Sequence, residues 1–150
     1  MQKINGLILI FIIFLNTSIV LAEDISGIEI SHLWISEAPP TVSVLVAYVT
    51  LKNNSTKTTS LISVSSPLFS SIEIHRSIVK DDVASMERYS SLTIPAKSTI
   101  KLLPGDYHLM LFNPKTPLEI GDRPILTFAF SNGVKIPVKA HVKKRKYNEH

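Results

Sequence analysis

From Ile25 onward, apolar and polar residues alternate in short runs with a period near two, the pattern of strands that bury one face. Ile28, Ile30, His32 and Trp34 alternate with Glu29, Ser31 and Leu33, which puts His32 on the side of Trp34 as a satisfied, partly buried histidine. Val42, Val44, Val46 and Tyr48 repeat the pattern within a β-branched stretch that Asn53-Asn54 ends. Further strands are predicted at 59–64, 71–77, 90–94, 99–103, 108–112, 124–130 and 134–142. Turn chemistry separates them: Ala38-Pro39-Pro40, Pro67, Pro95-Ala96, Pro104-Gly105-Asp106, Asn113-Pro114, Gly121-Asp122 and Asn132-Gly133. Asn132-Gly133, between two apolar strands, predicts a type I′ hairpin. No segment holds a 3.6-residue period over three turns. Many short strands at this spacing predict an all-β protein, one antiparallel β-sandwich with its chemistry at loop ends.

The first 22 residues have a different pattern. Lys3 precedes an unbroken apolar run from Leu7 to Leu15, and Val20-Leu21-Ala22 ends it before Glu23-Asp24. A basic start, an apolar stretch and a small-residue exit read as a cleavable signal peptide. As an uncleaved anchor the run is too short for a hydrocarbon core of about 30 Å. The expected division is a signal peptide at 1–22, one domain at 23–143 without stable membrane insertion, and a basic tail at 144–150.

Composition then narrows the chemistry. With no cysteine among the 150 residues there is no thiolate ligand, no disulfide framework and no cysteine to carry a lipid at the signal exit. Net charge is +4, or +3 once Lys3 leaves with the leader, and much of it sits in Lys143-Lys144-Arg145-Lys146. An export signal argues against nucleic acid as its partner, so the run reads as a solvated tail.

After the leader only two methionines remain, Met86 and Met110. In a strand His108 and Met110 share one face, while Leu109 and Leu111 point into the core. Imidazole beside thioether makes half a site for a soft ion, and uncharged sulfur favours Cu(I) over zinc, calcium or magnesium. His75 follows Ile72 and Ile74 and falls on the face opposite them. Met86 comes after the polar Lys80-Asp81-Asp82 loop, which would return the chain near His75. Taken singly, each is an ordinary surface histidine or gap-filling methionine.

Jointly, they are more specific. Ten residues separate His75 from Met86, and twenty-one separate Met86 from His108-Leu109-Met110. That spacing resembles the ligand motif of the PCuAC family of periplasmic Cu(I) chaperones. Trp34 with Ala38-Pro39-Pro40, Ala47-Tyr48 to Asn53, Ser65-Ser66-Pro67, Ile94-Pro95-Ala96, Leu103-Pro104-Gly105 and Gly121-Asp122 extend the resemblance over nearly the whole mature chain. It implies a cupredoxin-like Greek-key sandwich in the periplasm with Cu(I) on His75, Met86, His108 and Met110. It also implies delivery toward the copper centre of cytochrome c oxidase subunit II, alongside a Sco-type thioredoxin-like protein. The chain departs from the pattern at Ser36, Arg76, Asp82-Val83 and Asp106; Arg76 would put a fixed cation near the site.

Other classes find less support. No nucleophile elbow or comparable context surrounds any Ser, His and Asp, so no enzyme is expected. Blue-copper electron transfer needs a Cys thiolate. The rivals are a secreted sandwich that binds a protein and no metal, and a copper buffer that does not deliver. A second copper site on the tail histidine, His150, is a weaker expectation.

Overall fold

The computed structural model describes residues 27–144; the expected signal peptide and most of the basic tail lie outside them. Eleven strands form the described region: β1 (Ile28–Ser36), β2 (Val44–Asn53), β3 (Thr59–Ser65), β4 (Phe69–Lys80), β5 (Val83–Tyr89), β6 (Leu92–Ile94), β7 (Thr99–Leu102), β8 (Tyr107–Pro114), β9 (Ile125–Phe130), β10 (Lys135–Lys139) and β11 (His141–Lys143). They make two sheets packed face to face. The larger has the order β11-β1-β2-β8-β4-β5, with β7 also on β2; the smaller has the order β10-β9-β3-β6. The all-β sandwich is therefore as expected, and the interleaved order is of the Greek-key kind. Pairing is antiparallel except where β11 runs parallel to β1. Among the described residues no helix is long and apolar enough to cross a membrane.

Alternation selects which residues fill the space between the sheets. Leu45, Ala47, Val49 and Leu51 of β2, Leu109 and Leu111 of β8, and Leu126 and Phe128 of β9 are all buried in one cluster. Each fully buried side chain of this size contributes about 1.5–3 kcal/mol by leaving water. Asn53 lies wholly inside as well, with its polar atoms satisfied. Its Nδ2 donates to the carbonyls of Lys57 and Ile94 at 2.8 and 3.1 Å. Its Oδ1 accepts from Ser55 N at 3.0 Å.

Four details differ from the sequence pattern. In β1 the register slips between Ser31 and Trp34, and His32 there has a φ of 53°. This bulge adds one residue, so the inward face passes from Ile28 to Leu33 and Ile35. Trp34 turns to the outer face, where its ring lies 4.7 Å from that of Tyr48, and His32 is exposed, not half-buried. At Asn132-Gly133 the hairpin is present but its turn is different. Gly133 N donates to Phe130 O at 2.9 Å, and only Gly133 of the two has positive φ, at 86°. That is a type I turn closed by a left-handed glycine. The stretch 134–142 breaks at Ala140 into β10 and β11, which belong to different sheets.

The fourth is β5, where the sequence predicts no strand. Val83-Ala84-Ser85-Met86-Glu87-Arg88 is exposed on both faces and so shows no burial period. Asp81 and Asp82 both take left-handed φ, 53° and 61°, the geometry of a two-residue I′ turn. They fold β5 straight back along β4. Past Arg76 this hairpin has lost β8 as a neighbour, so its outer half is a two-stranded overhang.

Candidate metal site

Register alone brings the two site histidines together. Across β4 and β8, His75 stands directly opposite His108, and Glu73 opposite Met110. Residues opposite one another in an antiparallel pair project from the same face, as do residues two apart in a strand. His75, His108, Met110 and Glu73 therefore share the outer face of the large sheet. Leu109 and Leu111 project inward and are fully buried, as expected. The imidazole rings lie 6.1 Å apart, centroid to centroid, tilted by 33°. His108 is buried, at 4% exposure, although it sits on the outer face.

Neighbouring oxygens occupy one nitrogen of each ring. His75 Nε2 lies 2.9 Å from Glu73 Oε2, a carboxylate that only accepts, so Nε2–H is the donor. The neutral ring then has its lone pair on Nδ1, which is buried and has no hydrogen-bond partner. His108 Nδ1 lies 2.9 Å from the carbonyl oxygen of Asp106 and donates to it, which puts the lone pair on Nε2. A buried acceptor without a donor costs about 1–3 kcal/mol, a penalty that a bound cation would lift. An imidazole held by a carboxylate or carbonyl through its second nitrogen is the usual support of a metal-binding histidine.

The methionines are placed unequally. Met110 is partly buried and lies diagonally next to His75. Met86 is opposite Ser77 on β5, on the same face, but in the overhang and 61% exposed. On a flat sheet its Cα would be roughly 12 Å from that of His108, two strands away. The structure thus assembles His75, His108 and Met110 and holds Met86 at the rim. No three residues among His, Cys, Asp and Glu gather to hold a metal among the described residues.

Arg76 lies elsewhere than expected. As the neighbour of His75 in a strand it projects to the opposite face. There its Nε donates to Asp106 Oδ1 at 2.8 Å, and its guanidinium lies 4.7 Å from the Tyr107 ring centroid. Its hydrogen bond to the Asp106 carboxylate, and a second one with Tyr89, raise the Arg76 pKa above its ordinary value. Burial pushes the Tyr89 phenol up, against the lowering effect of Arg76. Glu73 has its own cation, with Arg88 Nε 3.4 Å from the oxygen that faces His75. Sequence reasoning missed Glu73 and Asp106 as supports of the histidines. Glu73 stands two residues before His75 in β4, which was the available signal; Asp106 supports His108 through its main-chain carbonyl, for which residue type gives none.

Comparison with known proteins agrees with this architecture. Residues 28–142 match the family described as "Putative lipoprotein LpqE-like". A "Putative lipoprotein Lxx21020" of Leifsonia xyli is 34% identical over 81% of this chain and 72% of its own length. An "Uncharacterized protein RP573" of Rickettsia prowazekii is 32% identical over 67% of this chain and 56% of its own. Among solved structures, a copper-bound PCuAC domain from PmoF2 has a TM-score of 0.68 at 21% identity, covering 79% of this chain and 94% of that domain, which shows the shared fold. The Cu(I) form of DR1885 from Deinococcus radiodurans has a TM-score of 0.64 at 27% identity, covering 87% of this chain and 85% of that one.

Proposed function

Given that this chain belongs to the LpqE-like family, we propose that it is an exported carrier of a single Cu(I) ion. The observation that carries this reading is the buried, unpartnered His75 Nδ1 beside His108, whose own free nitrogen is Nε2. Two neutral imidazoles and a thioether suit a soft monovalent ion and suit hard divalent ions poorly. The copper named in the PmoF2 and DR1885 structures supports the same choice of cargo. His75, His108 and Met110 would hold the ion, and Met86 would close the shell from the overhanging hairpin. A ligand on an exposed edge can be displaced without unfolding the domain, so an acceptor bearing thiolates could take Met86's place first.

In this reading the leader sends the chain to the periplasm and is removed. The cargo passes toward the copper centre of cytochrome c oxidase subunit II, with a Sco-type thioredoxin-like partner, as the resemblance implies. The family description speaks of lipoproteins, but none of these 150 residues is a cysteine able to carry the lipid. The protein works as a carrier and has no catalytic step.

The test is a titration of residues 23–150 with Cu(I) against a chromogenic chelator, beside a His108→Ala, Met110→Ala double variant. One tight equivalent in the parent and a large loss in the variant are expected. If the parent fails to compete with the chelator, the copper reading is wrong and the domain is a secreted interaction module.

A further inference from the structure

Two positions where the chain departs from the PCuAC-like pattern, Arg76 and Asp106, are bonded to each other. Arg76 Nε donates to Asp106 Oδ1 at 2.8 Å, and the guanidinium lies over the Tyr107 ring, which meets Tyr89 edge-on at 5.3 Å. Asp106 closes a Pro-Gly turn, with its N–H donating to Leu103 O at 3.1 Å and Gly105 at a φ of 86°, as a type II turn requires. The carbonyl of the same Asp106 accepts from His108 Nδ1 at 2.9 Å and from Ser77 N at 3.2 Å. One residue therefore has its carboxylate fastened to β4 and its carbonyl fastened to the ring of His108. Arg76 leans on the face of β4 opposite the metal site, so its guanidinium does not face that site and its hydrogen bond to Asp106 is what links it to the His108 ring.

We infer that Arg76 and Asp106 form a clasp that positions His108, holding its proton on Nδ1 and its lone pair on Nε2. The inference rests on the copper reading for its consequence and on the hydrogen bonds alone for its mechanism. A turn free to tilt would let the imidazole change tautomer or rotate, and each alternative offers copper the wrong atom. The clasp also ties the Pro104-Gly105-Asp106 turn to the root of the β4–β5 hairpin, so both ends of the site keep one spacing. Arg76 is a positioning residue here. Its charge is engaged by Asp106 and does not face the ion.

Two variants test the clasp, Arg76→Ala and Asp106→Ala; the second removes the acceptor of the Arg76 bond and keeps the main-chain carbonyl that faces His108. In the metal-free protein, long-range nitrogen–proton NMR of His108 reads the tautomer directly. The parent should show protonated Nδ1, and both variants a mixture. With Cu(I), both should release the ion about tenfold faster than the parent, the low end of the effect of losing support behind a ligand. Should Arg76→Ala fail to fold, Asp106→Ala alone carries the decision. An unchanged His108 tautomer in the folded variants would overturn the clasp, whatever the copper affinities. If the parent takes up no copper, the carrier reading fails, and the tautomer of the metal-free protein still decides the clasp.

Discussion

His75 faces His108 across a direct β4–β8 pair, with ring centroids 6.1 Å apart and the Nδ1 of His75 buried without a partner. A core residue would not be built this way, since the orphaned nitrogen makes the ring a liability until a cation arrives. His75→Ala should therefore abolish tight Cu(I) binding yet leave the metal-free protein within about 1 kcal/mol of the parent. Leu109→Ala, next to His108 in β8 but inside the core, should cost about 2–5 kcal/mol. Urea unfolding of both metal-free variants makes the comparison. Equal losses would mean that His75 is packing and not a ligand.

Glu73 is held between His75 Nε2 at 2.9 Å and Arg88 Nε at 3.4 Å, so it fixes which nitrogen of His75 carries the proton. Glu73→Gln keeps the shape of the side chain and removes the charge. An amide can offer either oxygen or nitrogen to the ring, so the orientation of His75 is no longer forced. Affinity for Cu(I) should fall on the order of 10- to 100-fold with the fold intact. A chelator competition that returns the parent's affinity would show that the carboxylate has no part in the site.

Met110 and Met86 should behave differently although both are thioethers. Met110 is half-buried beside the histidines, whereas Met86 is 61% exposed on the hairpin. Met110→Leu should lower the equilibrium affinity most. Met86→Leu should chiefly speed transfer to a thiol acceptor, with no measurable change in stability. Stopped-flow transfer to a dithiol probe separates the two. Equal transfer rates for parent and Met86→Leu would remove Met86 from the shell.

Burial made most of this fold legible in sequence. Strands with one face in the core, such as β8 and β9, carry their alternation openly, whereas β2 is apolar on both sides and its core face is Leu45, Ala47, Val49 and Leu51, not the side of Val44 and Val46. The same parity placed His108 and Met110 together against Leu109 and Leu111. The pattern fails where burial does not act. Val83 to Arg88 is exposed on both sides, so β5 reads as loop even though Met86 depends on it. One inserted residue at His32 reverses the face of everything after it in β1, and periodicity cannot see a bulge that falls between two apolar runs. Arg76 and Asp106 looked like two separate departures because their pairing spans thirty positions and appears only once β4 lies against β8.

The Asp81-Asp82 turn gives the last test, because it sets where Met86 stands. Both residues hold left-handed φ, which a β-branched side chain adopts only at a cost of about 1–3 kcal/mol. Asp82→Gly suits a type I′ turn better and should strengthen the overhang. Asp82→Val should loosen it. The sandwich core lies between the two sheets, away from the overhang, and should register neither change. Hydrogen exchange should therefore slow across Val83 to Met86 in the glycine variant and quicken in the valine variant, with Leu109 and Leu111 amides unaltered. Copper release should follow the same order, slowest with glycine at position 82 and fastest with valine. If exchange in β5 shifts while copper release does not, the hairpin moves independently of the bound ion and Met86 is not what closes the site.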